Sequence, residues 1–204
     1  MNEAIPTLLD THQNISCFVG DVCPHLIRIL DSLAPQTRIV GCVSWLTHPD
    51  LVKALARHRV SILVQKELYL RSKAVQGKRS CKAQAFSQII QKQYATLSNG
   101  GGVRCFGICA IKNADTSPRM HHKFLVVFNE TNEDDSKPEF VWTGSFNFTK
   151  NATLSRENAL WIRDSNIAQT YYSEWQQLYA YSEPLDWASR SLILIGKREG
   201  VELN

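Results

Sequence analysis

Residues 119–128, Arg-Met-His-His-Lys-Phe-Leu-Val-Val-Phe, set two adjacent histidines and a lysine at the head of an apolar run. Read as a β-strand over 121–128, the run sends successive side chains to opposite faces. His121 and Lys123 then share a face with Leu125 and Val127, while His122 turns to the other with Phe124, Val126 and Phe128. An imidazole and an ammonium side by side can meet a phosphate. His122, on the far face, is expected to pack or hydrogen-bond underneath.

Downstream, Gly-Ser-Phe-Asn at 144–147 repeats the same parity: Ser145 and Asn147 share a face, and Gly144 permits close backbone approach. Lysine supplies charge, and a hydroxyl and an amide donate hydrogen bonds, so the set is a receptor for a tetrahedral oxyanion. A neutral histidine nucleophile also needs its tautomer fixed, typically by a carboxylate on the other ring nitrogen. Glu157, on the strand that follows, is the candidate. Its plainer alternative is a surface ion pair with Arg156 or Lys150, as Ser145 and Asn147 could merely shape a turn.

These groups need a scaffold. Apolar runs predict strands at 15–20, 38–46, 59–64, 103–111, 121–128, 139–148 and 157–164. Helical spacing of Val22, Leu26, Ile29, Leu30 and Leu33 predicts a helix that stops before Pro35, and 48–58 reads as a short helix with Pro49 near its start. Ala83, Phe86, Ile90, Tyr94 and Leu97 mark a third helix, broken at Gly100–Gly102, and 166–181 closes the pattern with a fourth. Residues 184–204 carry no clear pattern. Strand–helix alternation followed by strands and a long hairpin predicts an α/β fold, a mixed sheet sandwiched by helices. One domain is expected over 1–204, with its core at about 15–180.

Composition narrows the class. The 204 residues carry a formal charge of +4, which permits a nucleic-acid partner without demanding one. Six basic residues (Lys66, Arg71, Lys73, Lys78, Arg79, Lys82) face the single Glu67 within 66–82, and the acids gather in 129–139. No window approaches the run of about 20 apolar residues that a membrane span needs. Residues 1–16 lack the basic start of a secretory signal. Six scattered cysteines are expected as thiols in a reducing cytosol. Cys105 and Cys109 near the histidines are only a weak zinc pattern, set against small core side chains on a strand.

His-His-Lys (121–123), then Gly-Ser-Phe-Asn (144–147), then Glu-Asn (157–158) resembles the phospholipase D superfamily, whose signature is HxKxxxxD followed by GSxN or GSxxN. The likeness is greatest to its small single-motif nucleases and covers roughly residues 15–180. The resemblance implies that His121 attacks phosphorus and forms a phosphohistidine, that Lys123, Ser145 and Asn147 hold the phosphoryl oxygens, and that Glu157 orients His121. It implies no metal and no cofactor. In-line displacement also needs an acid for the leaving oxygen. With one motif in the chain, a symmetric homodimer sharing one site is expected.

Two departures stand out. The motif aspartate falls at Phe128, and the 129–139 loop lengthens the path from Lys123 to Gly144. Position 128 faces away from His121 and Lys123 in a regular strand, so the lost aspartate is expected to support the site from behind; Glu130 shares its face. The expected function is a cytoplasmic, homodimeric, metal-independent endonuclease of DNA or RNA with low sequence specificity. Its rivals are a phospholipid phosphodiesterase and an inactive nucleic-acid-binding subunit.

Overall fold

Residues 39–43 and 60–65 are apolar almost without interruption, as strands covered on both faces should be. The computed structural model, which describes residues 14–70, 81–107, 119–129, 137–185 and 187, places them at its centre. Eight strands form one mixed sheet: β1 (Ile15–Gly20), β2 (Arg38–Val43), β3 (Arg59–Gln65), β4 (Gly102–Phe106), β5 (Lys123–Asn129), β6 (Lys137–Gly144), β7 (Glu157–Arg163) and β8 (Glu183–Pro184). Their spatial order is β1-β7-β6-β5-β2-β3-β4-β8. β2, β3 and β4 run parallel; every other pairing is antiparallel.

Helices α1 (Cys23–Ser32), α2 (Pro49–Leu55), α3 (Cys81–Ala95) and α4 (Ser165–Ala180) follow from the predicted spacings. Leu125, Val127 and Trp142 bury one face of the sheet with Leu26, Leu51 and Ile90 of α1, α2 and α3. Phe124, Val126 and Phe128 bury the other with Ala168 and Trp175 of α4. The expected sandwich is what forms, and the parity of 124–128 is as read from the sequence. Asp164 caps α4, accepting from the amides of Asn166 and Ile167 at 2.9 Å each.

Three strands are shorter than predicted. β2 stops at Val43 and β6 at Gly144 because both tails leave the sheet to bury Leu46, Phe146 and Phe148, none more than 1% exposed. The tails meet in a parallel bridge between Leu46 and Phe148. β5 begins at Lys123, so both histidines lie in the segment that leads into it.

β8 was not predicted. It pairs with β4, and Glu183 takes the Lys66 ammonium at 2.5 Å. Lys66 is therefore buried in an ion pair and is not part of a basic surface; a partner 117 residues away is invisible to any local window. Arg71, Lys73, Lys78 and Arg79 lie outside the described residues, as do 130–136 of the acidic loop; Lys82 is exposed on α3.

Candidate active site

The site grows from the carboxyl ends of β2 and β3, where ligands of open α/β sheets usually bind. Val43 pairs with Lys123 across the β2–β5 ladder. One residue on, the amide and hydroxyl of Ser44 both donate to the His122 carbonyl, at 2.9 and 3.0 Å. From β3, the Gln65 side-chain oxygen accepts from the Met120 amide at 2.8 Å. The Lys123 ammonium curls back to donate to the His121 carbonyl at 2.6 Å. Residues 120–122 are thus pinned at three points without being part of a strand.

His121 is exposed, and its ring lies 5.5 Å from that of Trp45 at 76°, an edge-on contact. The Trp45 indole N–H donates to Glu67 at 3.0 Å, which locks the brace. Among the described residues the His121 ring makes no hydrogen bond. Partial burial, then the charges of Lys123, Arg119 and His122, hold its pKa below the ordinary 6.5. The imidazole is therefore neutral at neutral pH, with a lone pair free to attack. Lys123 is 7% exposed; burial lowers its pKa and the Glu157 charge opposes that shift.

Gly144 brings β6 against β7. A Cβ there would stand 2.1 Å from the Asn158 carbonyl oxygen, so only glycine fits. That approach lets the Ser145 amide donate to Asn158 at 3.0 Å and the Asn158 amide donate to Ser145 Oγ at 3.1 Å. The Ser145 hydroxyl in turn donates to the Glu157 carboxylate. Phe146 and Phe148 point into the core, and Asn147 between them is half-buried. The Asn147 Oδ1 is buried and has no hydrogen-bond partner among the described residues.

The structure departs from expectation at Glu157. Its carboxylate serves Ser145 and lies within electrostatic reach of Lys123, with no hydrogen bond to His121 among the described residues. Strand order explains this: β6 lies between β7 and β5, so a side chain at the head of β7 meets Ser145 first. The charges that act on His121, those of Lys123, Arg119 and His122, all lower its pKa. His122 does point away, toward α4, where it meets Glu174 at 3.1 Å and Phe124 edge-on. It is half-exposed at 46%, not a core residue. Phe128 lies in the core beneath α4, with the Arg38 guanidinium 4.1 Å from its ring centroid. The position of the motif aspartate thus faces away from His121 and Lys123.

Ser44, Trp45, Gln65 and Glu67 were missed in the sequence. Their one signal was position, at or just past the ends of two buried strands. Among the described residues no three His, Cys, Asp or Glu side chains form a metal-binding group. Cys105 is buried in the core shared with α1–α3, and Cys109 lies outside the described residues.

The family model described as "Cardiolipin synthase, PLD-like domain" matches residues 27–179, most of the chain and all of this site. The chain belongs to the phospholipase D superfamily. The uncharacterized protein L381 of Acanthamoeba polyphaga mimivirus is 27% identical over 82% of this chain and 66% of its own length. The mitochondrial cardiolipin hydrolase of Xenopus tropicalis is 34% identical over 46% of this chain and 40% of its own. The chain therefore spans less than two thirds of either curated relative. The solved structure of NucT from Helicobacter pylori shares this fold, with a TM-score of 0.56 at 19% identity, over 83% of this chain and 98% of that one.

Proposed function

We propose that this phospholipase D-superfamily chain is a metal-independent phosphodiesterase that cleaves nucleic acid. The observation that carries the reading is a neutral, accessible His121 set over the buried ammonium of Lys123. A ring nitrogen of His121 bonds to phosphorus as the bond to the leaving oxygen breaks. Lys123 and Asn147 hold the non-bridging oxygens, joined by Ser145 once its hydroxyl proton turns from Glu157, and Glu157 faces the Lys123 charge. His121 of a second copy, entering as the protonated imidazolium, gives its proton to the leaving oxygen; now neutral, it takes one from the water whose oxygen bonds to phosphorus as the bond to the first His121 breaks. The partner copy makes the homodimer part of the proposal.

Arg119, Lys150 and Arg156 support a polyanionic substrate: all three are exposed, one two residues before His121 and two between Asn147 and Glu157. Phosphate contacts supply most non-specific affinity for nucleic acid. The five described cysteines are free, which agrees with a reducing cytoplasm as the proposed location. A second reading, a phospholipid diester as substrate, is favoured by the names of the matching family and of the cardiolipin hydrolase relative. Among the described residues no helix is long and apolar enough to cross a membrane.

The test is incubation in EDTA with plasmid, single-stranded DNA, RNA and phospholipid vesicles, beside His121→Ala. Cutting of nucleic acid by the wild type, abolished in the variant, is the expected result. Head-group or phosphatidate release without cutting would replace the substrate class. DNA or RNA binding without turnover, unchanged in the variant, would replace the reading with an inactive binding subunit.

A further inference from the structure

A cavity of about 560 Å³ opens beside the candidate nucleophile. Its walls come from three elements: Phe106 at the end of β4, Leu178 on the last turns of α4, and Met120 in the pinned segment. Gly107, His121, His122 and Arg119 complete the lining. We propose that this cavity seats the nucleobase next to the scissile phosphate, with Arg119 taking the following phosphate. The substrate is then a strand whose base is unpaired at the cut. The inference rests on the nuclease reading above and names the form of nucleic acid it acts on.

Three features lead to that occupant. Because His121 itself lines the cavity, whatever fills it must be attached to the phosphorus under attack. Phe106, Met120 and Leu178 offer a ring, a polarisable sulfur and an aliphatic wall, surfaces on which a flat aromatic group packs regardless of its sequence identity. His122, held by Glu174 at 3.1 Å, adds a hydrogen-bonding edge that a base can use and an acyl chain cannot.

Arg119 decides between a nucleic acid and a simple phospholipid. It is exposed, has no ion-pair partner among the described residues, and stands two residues before His121, a chain distance of at most about 7 Å. A nucleic acid strand repeats its phosphate one nucleotide on and so meets both residues. A phospholipid with one phosphate leaves Arg119 without a ligand. A base that stays paired and stacked in a duplex cannot turn out into the cavity, so the same geometry favours single strands.

The test uses the full chain and single-stranded DNA carrying one abasic nucleotide, with cleavage mapped at every phosphodiester and the matching duplex run alongside. Cleavage should fall between about fivefold and a hundredfold at the phosphodiester on one side of the abasic position only, the range set by loss of one stacked base. The duplex should be cut more slowly than the single strand. Leu178→Trp, or the milder Leu178→Phe if the first melts early, should erase the difference between intact and abasic strands. Arg119→Gln should raise KM and lower the slope of log KM against log salt by about one. Cutting that ignores both the abasic site and strandedness would overturn this inference and leave the nuclease reading intact. No cutting of any nucleic acid would overturn both, and lipid release from cardiolipin vesicles blocked by Leu178→Trp would assign the cavity to a lipid.

Discussion

Trp45→Phe keeps an aromatic ring beside His121 but removes the N–H that ties it to Glu67. A hydrogen bond to a charged acceptor contributes roughly 1.5–3 kcal/mol. Here the bond is 3.0 Å long and part-buried, so the low end of the range applies. The loss is about 1.5 kcal/mol, or a fall of about 3–6 °C in Tm for a domain of this size. The kinetic effect should be larger, because nothing else in the described residues holds the His121 ring. A nucleophile displaced by about 1 Å costs up to about a hundredfold. kcat on a small diester such as bis(p-nitrophenyl) phosphate should therefore fall about ten- to a hundredfold, with KM changed by less than about twofold. Glu67→Gln retains an acceptor and loses only the charge, so its effects should be about half as large in free energy. Thermal melts and steady-state kinetics on the three proteins decide the matter. A Trp45→Phe protein with wild-type kcat and Tm would refute the brace.

Two further outcomes follow from the same geometry. Glu157→Gln removes the one named charge that holds the Lys123 pKa up, so the loss of activity on deprotonating Lys123 should move to lower pH, while the acid limb, set by His121 below 6.5, stays in place. Movement of the acid limb instead would return Glu157 to the role of orienting His121. Gly144→Ala puts a Cβ 2.1 Å from the Asn158 oxygen and 2.7 Å from the Ala159 Cα, so β7 must shift. Urea unfolding should show a loss of about 1–3 kcal/mol or more, with activity lost as Ser145 parts from Glu157; unchanged stability would refute the β6–β7 register.

Much of the site was legible locally because strand parity is a local rule. Leu125 and Val127 fall on one face of the sheet and Phe124, Val126 and Phe128 on the other, as their alternation required. The same rule placed Phe128 on the α4 face, and His122, although it precedes the strand, lies on the expected α4 side, bonded to Glu174. What failed was reach. Lys66 looked like surface charge until β8 brought Glu183 to it from the far end of the described chain. Glu157 looked like a partner for His121 until the strand order put β6 in between.

The sequence by itself determined the chemistry on offer: a histidine and lysine at period two, a serine and asparagine at period two, a glutamate next in line, and a mixed sheet between helices to carry them. Those conclusions need only backbone periodicity and residue type. Tertiary structure alone decided which groups share a hydrogen bond. Ser44, Trp45 and Gln65 reach the 120–122 segment, and Glu67 reaches Trp45, because β2 and β3 run parallel and end together with β2 beside β5, an adjacency between residues 55 to 78 positions apart in the case of Gln65 and Ser44. Side-chain contacts of that kind depend on sheet order, and sheet order is fixed by packing both faces at once.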